Sequence, residues 1–415
     1  MLDGTDTEDY YVTGITVTSS DNVIQGFVIV GFEDSGIEFQ SEQCTNNHIQ
    51  GNYIGIDATG RHAQSNGKGI WLLLGANENI IGGSEPHESN IISGNVNSGV
   101  IISGSHDNLV VGNIIGLDAE GDSVIANGNK GVVVYDGSQG NKVGGETEGE
   151  RNVISGNVQG GISIYGEETR ENVVKGNYIG TDHNGTQSRR NESYGISLSK
   201  NTKTNTIGGL LTGEGNVISC NKTYGVYISE SDSNIVQGNA IGTDMDQVVD
   251  LGNGWSGVEV TGDAQYNQIG PGNTIAYNGG VGVEVNGSGT LYNRITQNSI
   301  FNNGSRGIQL YDGGNQDLAY PVITGVGSVE GTAPANAIVE IFSDSLDEGR
   351  QYEVTVMADG AGNFTWSGIP EGPKVTATAT DENGNTSEFS EPMSVGGFVV
   401  TNTNDSGEGS LRWAI

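Results

Sequence analysis

The sequence predicts an all-β chain: a right-handed parallel β-helix solenoid of about ten coils, followed by a small C-terminal β-sandwich. Three observations predict it. A phrase built from asparagine, glycine and isoleucine returns at a long, nearly fixed period. Within that period, short alternating aliphatic pairs return twice. Beyond residue 320 the asparagine phrases stop and strand-and-turn spacing replaces them.

The long period is read from two phrases. Gly-Asn-x-Ile-Gly-x-Asp begins at Gly51, Gly112, Gly176 and Gly238, at nearly equal intervals. Asn-x-Ile-Ser-Gly/Cys-Asn begins at Asn90, Asn152 and Asn216, with the same spacing. Glycine followed by Ile or Val, any residue and another apolar one begins at Gly36 and recurs to Gly307, at about half that spacing. Each long unit is therefore two coils. The pairs Ile37/Phe39, Ile70/Leu72, Val100/Ile102, Val132/Val134, Ile162/Ile164, Ile196/Leu198, Val226/Ile228, Val258/Val260, Val283/Val285 and Ile308/Leu310 fill the inward positions. A period of two with β-branched residues on one side is a short strand with one buried face. One coil cannot bury that face alone, so the coils stack and pair in parallel.

Two asparagine sets recur coil by coil, one from Asn22 to Asn293 and one from Asn52 to Asn298. Asparagine tolerates left-handed backbone angles and bonds to neighbouring backbone, which suits sharp corners. Stacked at equivalent corners, the amides can hydrogen-bond as ladders.

On these residues the chain resembles bacterial right-handed β-helix repeat proteins of the pectin-lyase-like group. Asn47-His-Ile-Gln-Gly-Asn-Tyr-Ile-Gly-Ile-Asp57, Asn152-Val-Ile-Ser-Gly-Asn157 and Gly161-Ile-x-Ile carry the likeness, over residues 1–320. The resemblance implies secretion and carbohydrate contact. Fold does not choose among the lyases, hydrolases, epimerases, tailspikes and adhesins of that group.

Residues 321–397 read as short strands at Ile338–Phe342, Tyr352–Met357, Phe364–Trp366 and Val375–Thr380, separated by Gly- and Asn-rich turns. They resemble a bacterial Ig-like module, of the kind that spaces other domains. Residues 398–415, with Ser410-Leu-Arg412, resemble the opening of a further β-helix module. The expectation is a piece of a longer multi-module chain, monomeric within it and placed outside the cell or on its surface.

Charge narrows the partners. The net charge is −34, from 17 Lys and Arg against 51 Asp and Glu. Nucleic acid binding rests on cations that neutralise phosphates, so nucleic acid is excluded as a partner. Anionic membrane surfaces are disfavoured in the same way. No run of 18 apolar residues exists to insert into a bilayer. Cys44 and Cys220 lie far apart in the chain and define neither a disulfide framework nor a zinc site. No cofactor is required, and the acidic balance admits Ca²⁺.

Two sets of residues are candidates for chemistry. Asp57, Asp118, Asp182 and Asp244 open four loops of equal length and are each followed nine residues later by asparagine. Projecting from alternate coils about 10 Å apart, they read either as a carboxylate column for Ca²⁺ or an extended polymer, or as Asx-type turns that hold their own loops. The second set is the outward column of the alternating strands, where Tyr227, Glu259 and Glu284 occupy successive coils. Aromatic rings stack on sugars and carboxylates bond hydroxyls. Two glutamates about 5 Å apart also match the spacing of a retaining glycosidase. The other reading is two solvated surface glutamates. No base, neutraliser and metal-ligand constellation of a lyase is visible, and the five histidines share no column.

The expected function is a non-catalytic module of a secreted or cell-surface bacterial protein, used for adhesion, spacing or polysaccharide binding. The alternative is a polysaccharide-active enzyme, a glycoside hydrolase, lyase or epimerase, working on the outer strand face. Nearly uniform loops favour the first, because a catalytic site commonly breaks its repeat.

Overall fold

The structure is a computed structural model that describes residues 1–5 and 11–395. Three long parallel sheets of 11, 11 and 10 strands make the solenoid. Every strand pairs with the strand three places later in the chain, so each coil adds one strand to each sheet. Parallel crossovers of this kind are right-handed. The first sheet runs from Leu2–Asp3 to Ser299–Phe301, the second from Ile15–Val17 to Ile308–Tyr311, and the third from Val23–Gln25 to Arg294–Ile295.

The aliphatic pairs all lie in the second sheet and point inward. Ile37, Phe39, Val134, Ile164, Val283 and Val285 are fully buried, and the most exposed member of the set is Leu310 at 8%. Register is conserved along the stack: Val100 faces Val132, which faces Ile162, which faces Ile196. Each such side chain withdrawn from water contributes roughly 1.5–3 kcal/mol before conformational entropy is counted. This sheet has eleven strands rather than ten. The additional one, Ile15–Val17, carries the same phrase, Gly14-Ile-Thr-Val17, and pairs with Ser35–Phe39.

Asparagine ladders run along three corners, one more than the repeat analysis expects. In the first, Asn141 Nδ2 donates to Asn172 Oδ1 at 3.0 Å and to the Ser105 carbonyl at 2.9 Å. Its own Oδ1 accepts from Asn108 Nδ2 at 3.1 Å and from the Asn108 backbone N–H at 3.0 Å. Both donors and both acceptor positions are used, which a buried amide requires. The second ladder repeats the pattern through Asn113, Asn152 and Asn177. The third joins Asn66, Asn95, Asn127, Asn157, Asn191, Asn221, Asn253, Asn278 and Asn303. As far as Asn253 its members come alternately from the long loops and from the end of the Asn-x-Ile-Ser phrase, so two sequence contexts meet at one corner; Asn278 and Asn303 both close Asn-x-Ile segments.

One glycine of the long phrase shows why that position is invariant from unit to unit. Gly116 has φ +96°, and a Cβ there would stand 2.1 Å from the Ser155 carbonyl oxygen on the next coil. Only glycine accepts that angle and that approach.

The chain divides into two units, Met1–Asp317 with Gly384–Thr386, and Leu318–Asn383 with the described residues from Ser387 onward. The second unit has a three-stranded sheet, Val322–Val326, Val329–Thr332 and Asn363–Trp366, and a four-stranded one, Gln351–Met357, Ile338–Asp344, Lys374–Thr380 and Met393–Ser394. All pairs are antiparallel. Ile323, Val329 and Phe364 from one sheet share a core with Val339, Ile341, Val375 and Ala377 from the other. The expected further module at residues 398–415 lies outside the described residues.

Candidate functional site

Alternation in the second sheet turns every second side chain outward. The outward column runs Ile101, Val133, Ser163, Ser197, Tyr227, Glu259, Glu284 and Gln309, each a direct cross-strand partner of the next. Tyr227, Glu259 and Glu284 are thus brought together as the sequence places them, at about 4.8 Å per coil.

Their surroundings are less solvated than a surface position would be. Glu259 is 6% exposed, and its Oε2 has no hydrogen-bond partner. The Tyr224 hydroxyl adjoins its carboxyl and acts on its charge. Burial, and after it the Glu284 charge, push the Glu259 carboxyl above the usual range, while the Tyr224 hydroxyl opposes them. Burial and the adjoining Glu259 in turn hold the Tyr224 hydroxyl well above the ordinary phenol value. Glu284 is half-buried and accepts a 2.8 Å hydrogen bond from Ser256 Oγ.

Tyr224 and Trp255 belong to this site, and the outward-column reading misses both. The Tyr224 ring stacks on Tyr227 with centroids 5.2 Å apart, and Trp255 meets Tyr224 edge-on at 5.1 Å and 83°. The signal was available: Tyr224 stands directly before the Gly225 phrase, where Tyr194 stands in the preceding coil. Past Glu284 the face opens into a groove of about 420 Å³ lined by Ser256, Val281, Glu284, Asn286, Tyr311 and Asp312, among others. Further aromatics lie along the same sheet, including the Tyr135–Tyr165 stack at 5.1 Å, with Lys200 over Tyr165.

The four loop aspartates do something else. Asp118 Oδ1 accepts the N–H groups of Asp122 and Ser123 at 2.9 and 3.1 Å. Asp182 holds Thr186 and Gln187, and Asp244 holds Val248 and Val249, at the same offsets. Asp57 does the same with Arg61 and His62 and adds the Thr59 hydroxyl at 2.7 Å. The Thr59 bond above all holds the Asp57 carboxyl well below the usual range. Burial raises Asp118, but its N–H bonds outweigh that and its carboxyl is also lowered.

Nor do the loops stand clear of one another, as the sequence leads one to expect. The Ala119 N–H donates to the Gly60 carbonyl, and the His183 N–H donates to the Gly121 carbonyl. The Asp57, Asp118 and Asp182 loops bend over the intervening coil, which has no such loop, and touch. Among the described residues no three His, Cys, Asp or Glu side chains converge as metal ligands.

Fold and site together define a right-handed parallel β-helix protein with an aromatic and acidic strip on one strand face. A family model described as "Periplasmic copper-binding protein (NosD)" matches residues 183–320, about a third of the chain. No curated protein matches. Among solved structures, the enzymatically active domain of tailspike protein 2 from bacteriophage CBA120 is 10% identical, over 91% of this chain and 71% of its own, with a TM-score of 0.33. A tailspike protein mutant of E. coli bacteriophage HK620, in complex with pentasaccharide, is 10% identical over 89% of this chain and 83% of its own, at 0.36. Geobacillus virus E2 ORF18 is 9% identical over 92% and 68%, at 0.29. Likenesses this distant carry no argument about function.

The copper of the family's description does not fit the residues present. Copper sites draw on imidazole, thiolate and thioether donors. The matched stretch has one of each, His183, Cys220 and Met245. Burial pushes the Cys220 thiol up to about 11, away from the thiolate a metal would need.

Proposed function

We propose that this chain is a non-catalytic, polysaccharide-binding module of a secreted or cell-surface protein, and that the outer face of the second sheet is its binding surface. The observation that carries this reading is the platform of Tyr224, Tyr227 and Trp255 beside Glu259 and Glu284. Flat aromatic rings offer apolar faces to sugar rings, and carboxyl oxygens bond their hydroxyls. The strip from Trp71 to Gln309 spans eight coil steps, roughly 38 Å at ~4.8 Å each, which suits an extended polymer. In this reading the two-sheet C-terminal unit is an Ig-like spacer with its boundary near residue 320, the chain is a monomer within a longer multi-module protein, and no cofactor takes part.

A second reading has one observation in its favour. Glu259 and Glu284 are direct cross-strand partners, one carboxyl raised and the other hydrogen-bonded by Ser256. That pairing resembles the acid and nucleophile of a retaining glycosidase.

A glycan array on the chain tests the first reading, followed by Tyr227→Ala and Trp255→Ala. The expected result is binding to an extended glycan that falls at least tenfold in either variant. Absence of binding to every glycan would sink it. Release of reducing ends that Glu259→Gln abolishes would move the protein to the second reading.

A further inference from the structure

We infer that the polymer taken by this face carries protonated amines, as an amino-sugar polymer does. The inference rests on the polysaccharide-binding reading and names the chemistry of its ligand.

The groove past Glu284 presents two carboxylic side chains, Glu284 and Asp312, with the Tyr311 ring, the Asn286 amide and the hydroxyls of Ser256 and Ser305. Its lining among the described residues contains no Lys, Arg or His. Arg306 follows Ser305 in the chain but is outside that lining and has an interaction of its own. Glu259 adds an independent feature. It points out from the same column, between inward Val258 and Val260, and its buried Oε2 has no partner. A buried carboxyl oxygen that the protein leaves unmatched adds to the negative potential of this face, which an incoming cation offsets.

The aromatic corner points to the same chemistry. Tyr224 stacked on Tyr227 with Trp255 perpendicular presents ring faces in two directions, and ring faces attract cations as well as sugar rings. A uronate polymer would bring more negative charge to two acids on a chain of net charge −34. A neutral polymer would offer Glu284 and Asp312 hydroxyl donors but no opposite charge. An ammonium group answers both: it donates charge-assisted hydrogen bonds to the carboxylates and sits over the rings.

The experiment is calorimetry on the full chain at pH 6 with four probes: a glucosamine hexamer, its N-acetylated counterpart, a galacturonate hexamer and hexalysine. The expected order is the glucosamine hexamer at least tenfold tighter than the N-acetylated one, with galacturonate unbound. Glu284→Gln combined with Asp312→Asn is expected to cost the glucosamine hexamer at least tenfold, with the thermal melt confirming a folded variant. Equal affinity for the N-acetylated hexamer would overturn the inference and leave polysaccharide binding standing. No hexamer bound would overturn both. An unchanged affinity in the double variant would assign binding to overall charge, and hexalysine binding as tightly as the sugar would assign the face to basic peptides. Either outcome overturns the inference.

Discussion

Two stretches of one outward column teach what the solenoid does and does not demand. In the coils of Val100–Ser103 and Lys130–Tyr135, the outward positions hold Ile101 and Val133. In those of Val258–Thr261 and Val283–Asn286, they hold Glu259 and Glu284. Inward of all four lie fully buried aliphatic pairs in the same parallel register. The backbone is indifferent to what stands outside, because the core and the corner amides already determine it. Outward positions are therefore free to carry ligand chemistry, and the run of Tyr227, Glu259 and Glu284 occupies them in the later coils.

The comparison breaks most severely from the inside. Ile164→Ala removes a fully buried side chain that faces Leu198 on the next coil. We expect a loss of about 2–5 kcal/mol in urea denaturation. A loss well below that range would show that the coils adjust individually and that the inward column is not what holds the register.

Next in size is the corner. Asn152→Ala deletes an amide that accepts from Asn113 and donates to Asn177 and the Val110 carbonyl. Each buried group left unpaired costs about 1–3 kcal/mol. Thermal melts are expected to show a clear drop, and a melt equal to wild type would demote the ladder to decoration.

Protonation sharpens the contrast between loops and strand face. The Asp57, Asp118 and Glu150 carboxyls are depressed in the folded state. Their contribution is present above the unfolded values of about 4 and is lost as pH falls through the folded ones. Glu259 runs the other way. Its raised carboxyl favours the folded state below the ordinary glutamate value of 4.5, and that advantage is lost as pH rises. Glu259→Gln is thus expected to melt higher than wild type at pH 7 and together with it at pH 4. A variant less stable at pH 7 would mean that the carboxylate is well paired after all.

The smallest effect is expected in the loops. Asp57→Asn keeps an acceptor for the same N–H groups and should cost about 1 kcal/mol or less. Millimolar Ca²⁺ should leave the wild-type melt unmoved, whereas a rise of several degrees would return Asp57, Asp118, Asp182 and Asp244 to cation binding.

Much of the solenoid was legible because its rule is local. A period of two with Val and Ile on one side, repeated at a near-constant step, specifies both the strand and its stacking. The missed first strand shows the limit of a step rule: Gly14 opens the phrase but precedes Gly36 by a step shorter than any that follows. The third ladder was hidden because Asn66 and Asn95 sit in unlike phrases and meet only after the chain has turned. The site was half legible. Tyr227, Glu259 and Glu284 follow from alternation, while Trp255 comes from a loop and reaches Tyr224 only through the stacking of coils.

By itself, then, the order of residues determined the coil, the inward column and which side chains point out, since each depends on neighbours a few positions away. Only the tertiary structure decided that Glu259 is nearly dry, that the loop aspartates bond their own backbone and that the first three loops touch. Those outcomes depend on how closely one coil settles on another and on how each loop folds back, which no local pattern encodes.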